Sequence, residues 1–144
     1  MFEKQVLGVR EAQAAVNAIF EEASKNPERA VAVAVVDSER EIVCMMRMDE
    51  AIPMYNYMAL KKARTAALHR RDTRSLGEWL RTLNFSTSDF NPESTLVPGG
   101  IYIVKPDGGR AGLGGIGVSG RPDPADDEAL AMVGLKALQK AIWG

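Results

Sequence analysis

The sequence predicts an α+β fold: one domain over residues 1–144, with an antiparallel sheet made of two hairpins and flanked by helices in profilin/PAS-like layering. Three observations carry this prediction. Apolar residues recur at helical spacing near both ends and in the middle of the chain. Two pairs of apolar runs are each joined by turn-forming residues. The resulting order, helix, hairpin, two helices, hairpin, helix, places every strand beside an antiparallel neighbour, with helices left to cover the sheet. A chain of 144 residues suits one core of this kind.

Val6, Val9, Ala12, Val16, Ile19, Phe20 and Ala23 step by three and four and form the apolar face of a first helix, which Asn26-Pro27 ends. In "AVAVAVVDSEREIVCMMRM", Val31, Val33 and Val35 alternate with alanines, Asp37-Ser38-Glu39-Arg40 makes a turn, and residues 42–48 run back as the second strand. Alanine on the second face of the first strand implies that something packs closely there. Pro53 opens a helix over 54–70. A short helix over 75–83 follows, and then a polar segment, 84–94, that is either a lid or a mobile loop. Residues 101–105 and 111–118 form the second hairpin across Pro106-Asp107-Gly108-Gly109. Asp123 caps the last helix, Pro124 occupies its first position, and Asp126, Asp127 and Glu128 favour the positive end of its dipole. Lys136 and Lys140 suit its other end, and Leu130, Val133, Ala137, Leu138 and Ile142 form its buried stripe.

Composition excludes several functions. Eighteen basic and nineteen acidic residues leave a charge of -1, so no bulk field draws in nucleic acid or an anionic membrane. The run His69-Arg70-Arg71-Asp72-Thr73-Arg74 is a local exception, read as a solvated helix end. No apolar stretch reaches the roughly 20 residues of a membrane span, and the N-terminus lacks the apolar core of a signal peptide. Cys44 is the single cysteine, so neither an intrachain disulfide nor a thiolate zinc or iron–sulfur site is expected, and a reducing cytoplasm is the simplest setting.

Gly112-Leu113-Gly114-Gly115-Ile116-Gly117 spells G-x-G-x-x-G. A working dinucleotide fingerprint opens a helix directly and is followed about 20 residues later by an acidic side chain. Here extended residues follow, a helix starts only near Asp123, and no carboxylate stands near Ala137, so the fingerprint reading fails. Such glycines instead mark a tightly crossed sheet, or a place where a ligand lies against bare backbone. Pro98-Gly99-Gly100 strips the partner strand as well and favours the ligand.

The stretches "VAVVDSEREIVCMMRMD", "KKARTAA", "VPGGIYIV" and "GGIGVSGRPDPADDEALA" together resemble the GlcG/HbpS-like family, which also supplies the C-terminal module of PduO-type proteins. The resemblance implies a small α+β domain with a curved antiparallel sheet, assembly into dimers or larger homo-oligomers, and links to haem or corrinoid binding. By motif it picks out Arg47 and Asp49 after the second strand, and Lys62 and Thr65 on the central helix. It also picks out Gly99, Gly100, Gly117, Ser119 and Gly120 in the glycine elements, and Asp127 and Glu128 at the last helix. The chain departs from haem or iron binders of this type in its single histidine, in lacking a Glu-x-x-Glu pair, and in the segment around Trp79 and 84–94.

Met58, Lys62, Thr65 and His69 share one helical stripe, while Ala59, Ala63 and Ala66 form a close-packing face. Lys62 could hold a carboxylate or snorkel; His69 could ligate a metal, move a proton or simply end a helix. Arg47, facing opposite Ile42, Cys44 and Met46, suits a carboxylate, or forms a surface pair with Asp49. Glu128 and Asp127 could supply an acid or base, or serve the helix dipole alone. The methionines 45, 46, 48, 54 and 58 fill core or line a ligand, and Cys44 is inert core. Three functions follow as expectations. The first is a cytoplasmic homo-oligomer binding a carboxylate-bearing small molecule, by resemblance haem or a related tetrapyrrole. The second is a cofactor-independent lyase, hydratase or isomerase for a small organic acid, with Arg47 and Lys62 as anchors and Glu128 or His69 moving the proton. The third is a non-catalytic accessory protein. No metal site, nucleic-acid partner or membrane partner is expected.

Overall fold

The computed structural model describes residues 1–107 and 112–144. Helix α1 (Val9–Ala23) leads to strands β1 (Ala32–Asp37) and β2 (Ile42–Arg47). Helices α2 (Pro53–His69) and α3 (Thr73–Leu83) follow, then a single 3-10 turn (Thr87–Asp89), strands β3 (Gly100–Ile103) and β4 (Gly114–Ser119), and helix α4 (Pro124–Trp143). The strands form one antiparallel sheet in the order β2-β1-β4-β3, so the two hairpins join through β1 and β4. This is the expected α+β architecture. The predicted turn at Gly108-Gly109 and the strand start at Ala111 lie outside the described residues.

The sheet separates two unlike packing faces. On one, Val31, Val33, Val35, Ile101, Ile103, Ile116 and Val118 meet α1 and α4 in the larger core. On the other, Ala32, Ala34 and Val36 meet Ala59, Ala63 and Ala67 of α2. Small residues on both partners let helix and sheet backbones approach, which is what the alanine face of β1 implied.

Several sequence expectations are corrected. Helix α1 begins at Val9, and Val6 and Val9 are 66% and 60% exposed. The buried stripe of α4 is Asp127, Leu130, Ala131, Gly134, Leu135 and Leu138, while Val133 and Ala137 are half-buried. The shift arises because α4 packs on α1 as well as on the sheet: a Cβ on Gly134 would stand 2.5 Å from Ile19 Cδ1. A bulge opposite Val35 and Val36 pairs Ile42 with Val36, so Ile42 shares the α2 face with Arg47 instead of opposing it. Helix α3 starts two residues early, because Asp72 and Thr73 are both held by β3. Asp72 Oδ1 accepts from Tyr102 N at 2.8 Å, and Thr73 Oγ1 accepts from Gly100 N at 3.1 Å. In the segment after α3, Phe90 packs against Trp79, Phe85 and His69, which pins it across the end of α2.

Candidate functional site

The glycines of β4 do not open a pocket. A Cβ on Gly117 would collide with the carbonyl of Ala59, and one on Gly115 with the carbonyl of Ala63. The bare backbone is covered by the backbone of α2, so the tightly crossed sheet is the reading that holds. The expected ligand space beside the late hairpin is filled by the protein itself. Gly99 and Gly120, at φ 123° and 143°, adopt backbone that side chains resist.

Where these elements meet, the motif residues form a buried polar knot. Lys62 is 1% exposed; its Nζ donates to Val118 O at 2.9 Å and to Asp127 Oδ2 at 3.1 Å. Asp127, 2% exposed, accepts from Arg121 N at 2.9 Å through Oδ1. A Cβ on Gly99 would stand 2.9 Å from Lys62 Nζ, so the lysine head has glycine for one wall. Burial pulls the Lys62 ammonium below its ordinary pKa, with Asp127 opposing the shift. Burial likewise pushes the Asp127 carboxyl up, against the attraction of Lys62 and the Arg121 N–H. Close by, Thr65 Oγ1 donates to Lys61 O at 2.7 Å and accepts from Thr95 N at 3.0 Å. Buried, with each polar atom hydrogen-bonded, this cluster orients α2, β4 and α4 relative to one another.

The other expected residues are dispersed. Arg47 is exposed, with Nη1 3.4 Å from Ala51 O, and Asp49 is exposed beside it. Glu128 takes Arg74 Nε at 3.0 Å on both carboxylate oxygens. Met58 is half-buried on α2, and Ser119 is buried at the end of β4. His69 Nε2 lies 3.1 Å from Ser94 Oγ, and burial, with the Arg71 charge, lowers its pKa. Arg47, Lys62 and Glu128 therefore serve three different partners and do not converge on one reacting centre.

A small groove lies instead on the outer side of α2. Tyr57, Leu60, Lys61, Arg64, Thr65 and Leu68 form its floor, Arg40 from the β1–β2 turn closes one end, and Asn91, Glu93 and Ser94 form the opposite wall. The space is about 260 Å³. Arg64 Nε donates to Arg40 O at 3.1 Å, and the Lys61 ammonium sits 5.6 Å from the centre of the Tyr57 ring. Among the described residues, none of Arg40, Lys61, Arg64 and Glu93 is in an ion pair. Three cations and one anion, none in an ion pair among the described residues, thus surround the apolar side chains of Tyr57, Leu60 and Leu68. Two larger clefts lie elsewhere on the surface. One, of about 520 Å³, includes Arg121, whose guanidinium is already given to the carbonyls of Ala23, at the end of α1, and of Asn26 and Arg29 beyond it. The other, of about 450 Å³, contains the closed Lys4–Glu39 pair.

Of the residues expected from the sequence, Thr65 lines this groove and His69 reaches its wall through Ser94. Arg40, Lys61, Arg64 and Arg121 were missed. Lys61 and Arg64 flank the expected stripe one helical step outward. Arg40 carried a signal, being a bulky residue at the end of a tight hairpin turn where glycine or asparagine is usual.

The family model described as haem degrading protein HbpS-like matches residues 7–136. The chain belongs to the HbpS-like family. Protein GlcG of Escherichia coli K12 is 36% identical over 118 residues, which cover 81% of this chain and 83% of GlcG. A double mutant of Streptomyces reticuli HbpS superposes with a TM-score of 0.82 at 30% identity, covering all of this chain and 91% of that one. The PduOC:heme complex has a TM-score of 0.78 at 24% identity, covering 92% and 95% of the two chains, and shares the fold. Within the HbpS-like frame, three of the four motif stretches meet at the Lys62 knot. The fourth, "VAVVDSEREIVCMMRMD", supplies Arg40 to the groove.

Proposed function

We propose that this HbpS-like protein binds a flat, carboxylate-bearing small molecule, haem or a related tetrapyrrole, in the groove on α2. The observation that carries this is the set of cations, Arg40, Lys61 and Arg64, in no ion pair among the described residues, around an apolar floor of Leu60, Leu68 and Tyr57. Guanidinium and ammonium groups suit the propionates, and the apolar floor suits the ring edge that carries them. The family's description as haem degrading and the haem complex of a structural neighbour support the same ligand class. At about 260 Å³ the groove is smaller than enclosing pockets of roughly 300–1,000 Å³, so it takes the carboxylate edge and leaves the rest of the ring outside. Bound haem would supply redox-active iron; His69, the chain's one imidazole, stands behind the groove wall with Nε2 engaged by Ser94 Oγ at 3.1 Å. The reading includes a homo-oligomer, supported by the exposed Ile52 and Met54 at the start of α2, in a reducing cytoplasm that suits the free Cys44.

Titration with haem, followed by the Soret band, tests the proposal. Micromolar binding is expected, and Lys61→Glu with Arg64→Glu should weaken it at least tenfold while leaving the far-UV spectrum unchanged. Absence of a spectral change at tens of micromolar haem, or equal binding by the charge-reversed variant, would overturn it. The organic-acid enzyme finds no comparable support, because its proposed anchors and proton carrier are engaged apart from one another.

A further inference from the structure

The turn between β1 and β2 is built against the preference of its own sequence. Arg40 N donates to Asp37 O at 3.0 Å and Asp37 N to Glu41 O at 2.9 Å, while Asp37 Oδ1 accepts from the N–H groups of Glu39 and Glu41. This closure puts Arg40 at φ 69°, in the left-handed region. There the Cβ of an L-residue crowds its own carbonyl, and hairpins of this kind favour glycine or asparagine at that position. An arginine here makes the hairpin less stable than glycine would. The strained residue is also braced: Arg64, one turn beyond Lys61 on α2, sends Nε to the Arg40 carbonyl at 3.1 Å. Arg40 lines the groove together with Arg64 and Lys61, and no carboxylate among the described residues pairs with it.

We infer that Arg40 is a ligand-binding residue, kept at a glycine position so that its guanidinium can meet a carboxylate at the mouth of the α2 groove. Arg64 is its positioning residue, acting on the backbone of the turn as well as through its own charge. The inference rests on reading the groove as a carboxylate site. It goes further in naming the residue that decides recognition and in giving the site a measurable signature: removing Arg40 strengthens the fold and weakens the binding. Backbone strain persists where the surrounding structure imposes it, and it concentrates at ligand clamps. Glu50 provides the comparison inside the same molecule. It too is left-handed, at φ 71°, but lies in the turn before α2 and does not line the groove.

The experiment compares the parent protein with Arg40→Gly and Glu50→Gly. Thermal unfolding gives stability. Titration with iron-free protoporphyrin, followed by tryptophan fluorescence and porphyrin absorbance, gives affinity for the carboxylates without iron. Its dimethyl ester serves as the carboxylate-free probe. Arg40→Gly should raise Tm by about 3 °C and weaken protoporphyrin binding about tenfold or more, with no change toward the ester. Glu50→Gly should bind as the parent does. A parent that binds protoporphyrin together with an Arg40→Gly variant that binds it equally well overturns the role of Arg40 and leaves the groove reading standing. A parent that binds no porphyrin overturns both. A lower Tm for Arg40→Gly overturns the inference whatever the affinity, because the side chain would then be serving the fold.

Discussion

Replacing Lys62 with alanine tests whether the buried knot is structural. The ammonium and the Asp127 carboxylate are 1% and 2% exposed and 3.1 Å apart, so truncation leaves a carboxylate sealed from water with its cation gone. Removing one member of such a pair destabilises by about 3–5 kcal/mol. The Val118 carbonyl also loses its 2.9 Å donor, worth about 1 kcal/mol. A loss of about 4 kcal/mol is a large part of a domain's total stability of about 5–15 kcal/mol. At about 3–4 °C per kcal/mol for a domain of this size, Tm should fall by about 12–16 °C. Lys62→Met with Asp127→Leu removes both charges and should recover most of that loss, which isolates the uncompensated carboxylate as its cause.

The pH dependence carries its own sign. Lys62 is depressed below 10.5, so its protonated form costs stability, and the unfolding free energy rises as pH climbs from the folded pKa toward 10.5. Asp127 is raised above 3.8, so its ionised form costs stability, which falls as pH climbs from 3.8 through the folded pKa. The double variant should lose both slopes. Urea unfolding followed by circular dichroism across pH measures all of this. A Lys62→Ala protein within about 1 kcal/mol of its parent would refute the reasoning, because removing half of a sealed ion pair cannot be that mild.

Two further outcomes follow from the same geometry. Gly117→Ala should destabilise by about 3 kcal/mol or more in chemical unfolding, since the new Cβ meets the Ala59 carbonyl and stands 2.6 Å from Ala63 N, both helix backbone; a near-neutral result would mean that α2 does not lie on β4. His69, lowered below 6.5 by burial and Arg71, should make the protein less stable as pH falls from about 6.5 through its folded pKa. His69→Gln should remove that slope in thermal melts between pH 5 and 7, and persistence of the slope would assign it to another group.

Much of the fold was legible without coordinates. Alternating Val31, Val33 and Val35 gave a strand, the Asp123-Pro124 start and the carboxylates after it gave α4, and the alanines of β1 announced a close neighbour. The site was less legible. The motif residues were identified by type, yet Lys62 could have faced a ligand or a carboxylate. Its partner stands 65 residues further along the chain. The glycines near residue 117 were right as places of close approach and wrong as to what approaches, which is α2 itself.

By itself, the sequence determined the secondary elements, their order and the two faces of β1, because side-chain spacing and turn chemistry act within a few residues, whereas packing moved the buried stripe of α4 and the face of Ile42. Only the tertiary structure decided which face covers which, and so which charges are spent inside and which remain for a ligand. Lys62 and Asp127 neutralise each other because α2 and α4 meet across the end of β4. Arg40, Lys61 and Arg64, in no ion pair among the described residues, share one groove because a hairpin turn folds over the outer side of that same helix. A residue's charge is local, but its partner is set by chain segments brought together from far apart, and no local pattern records that meeting.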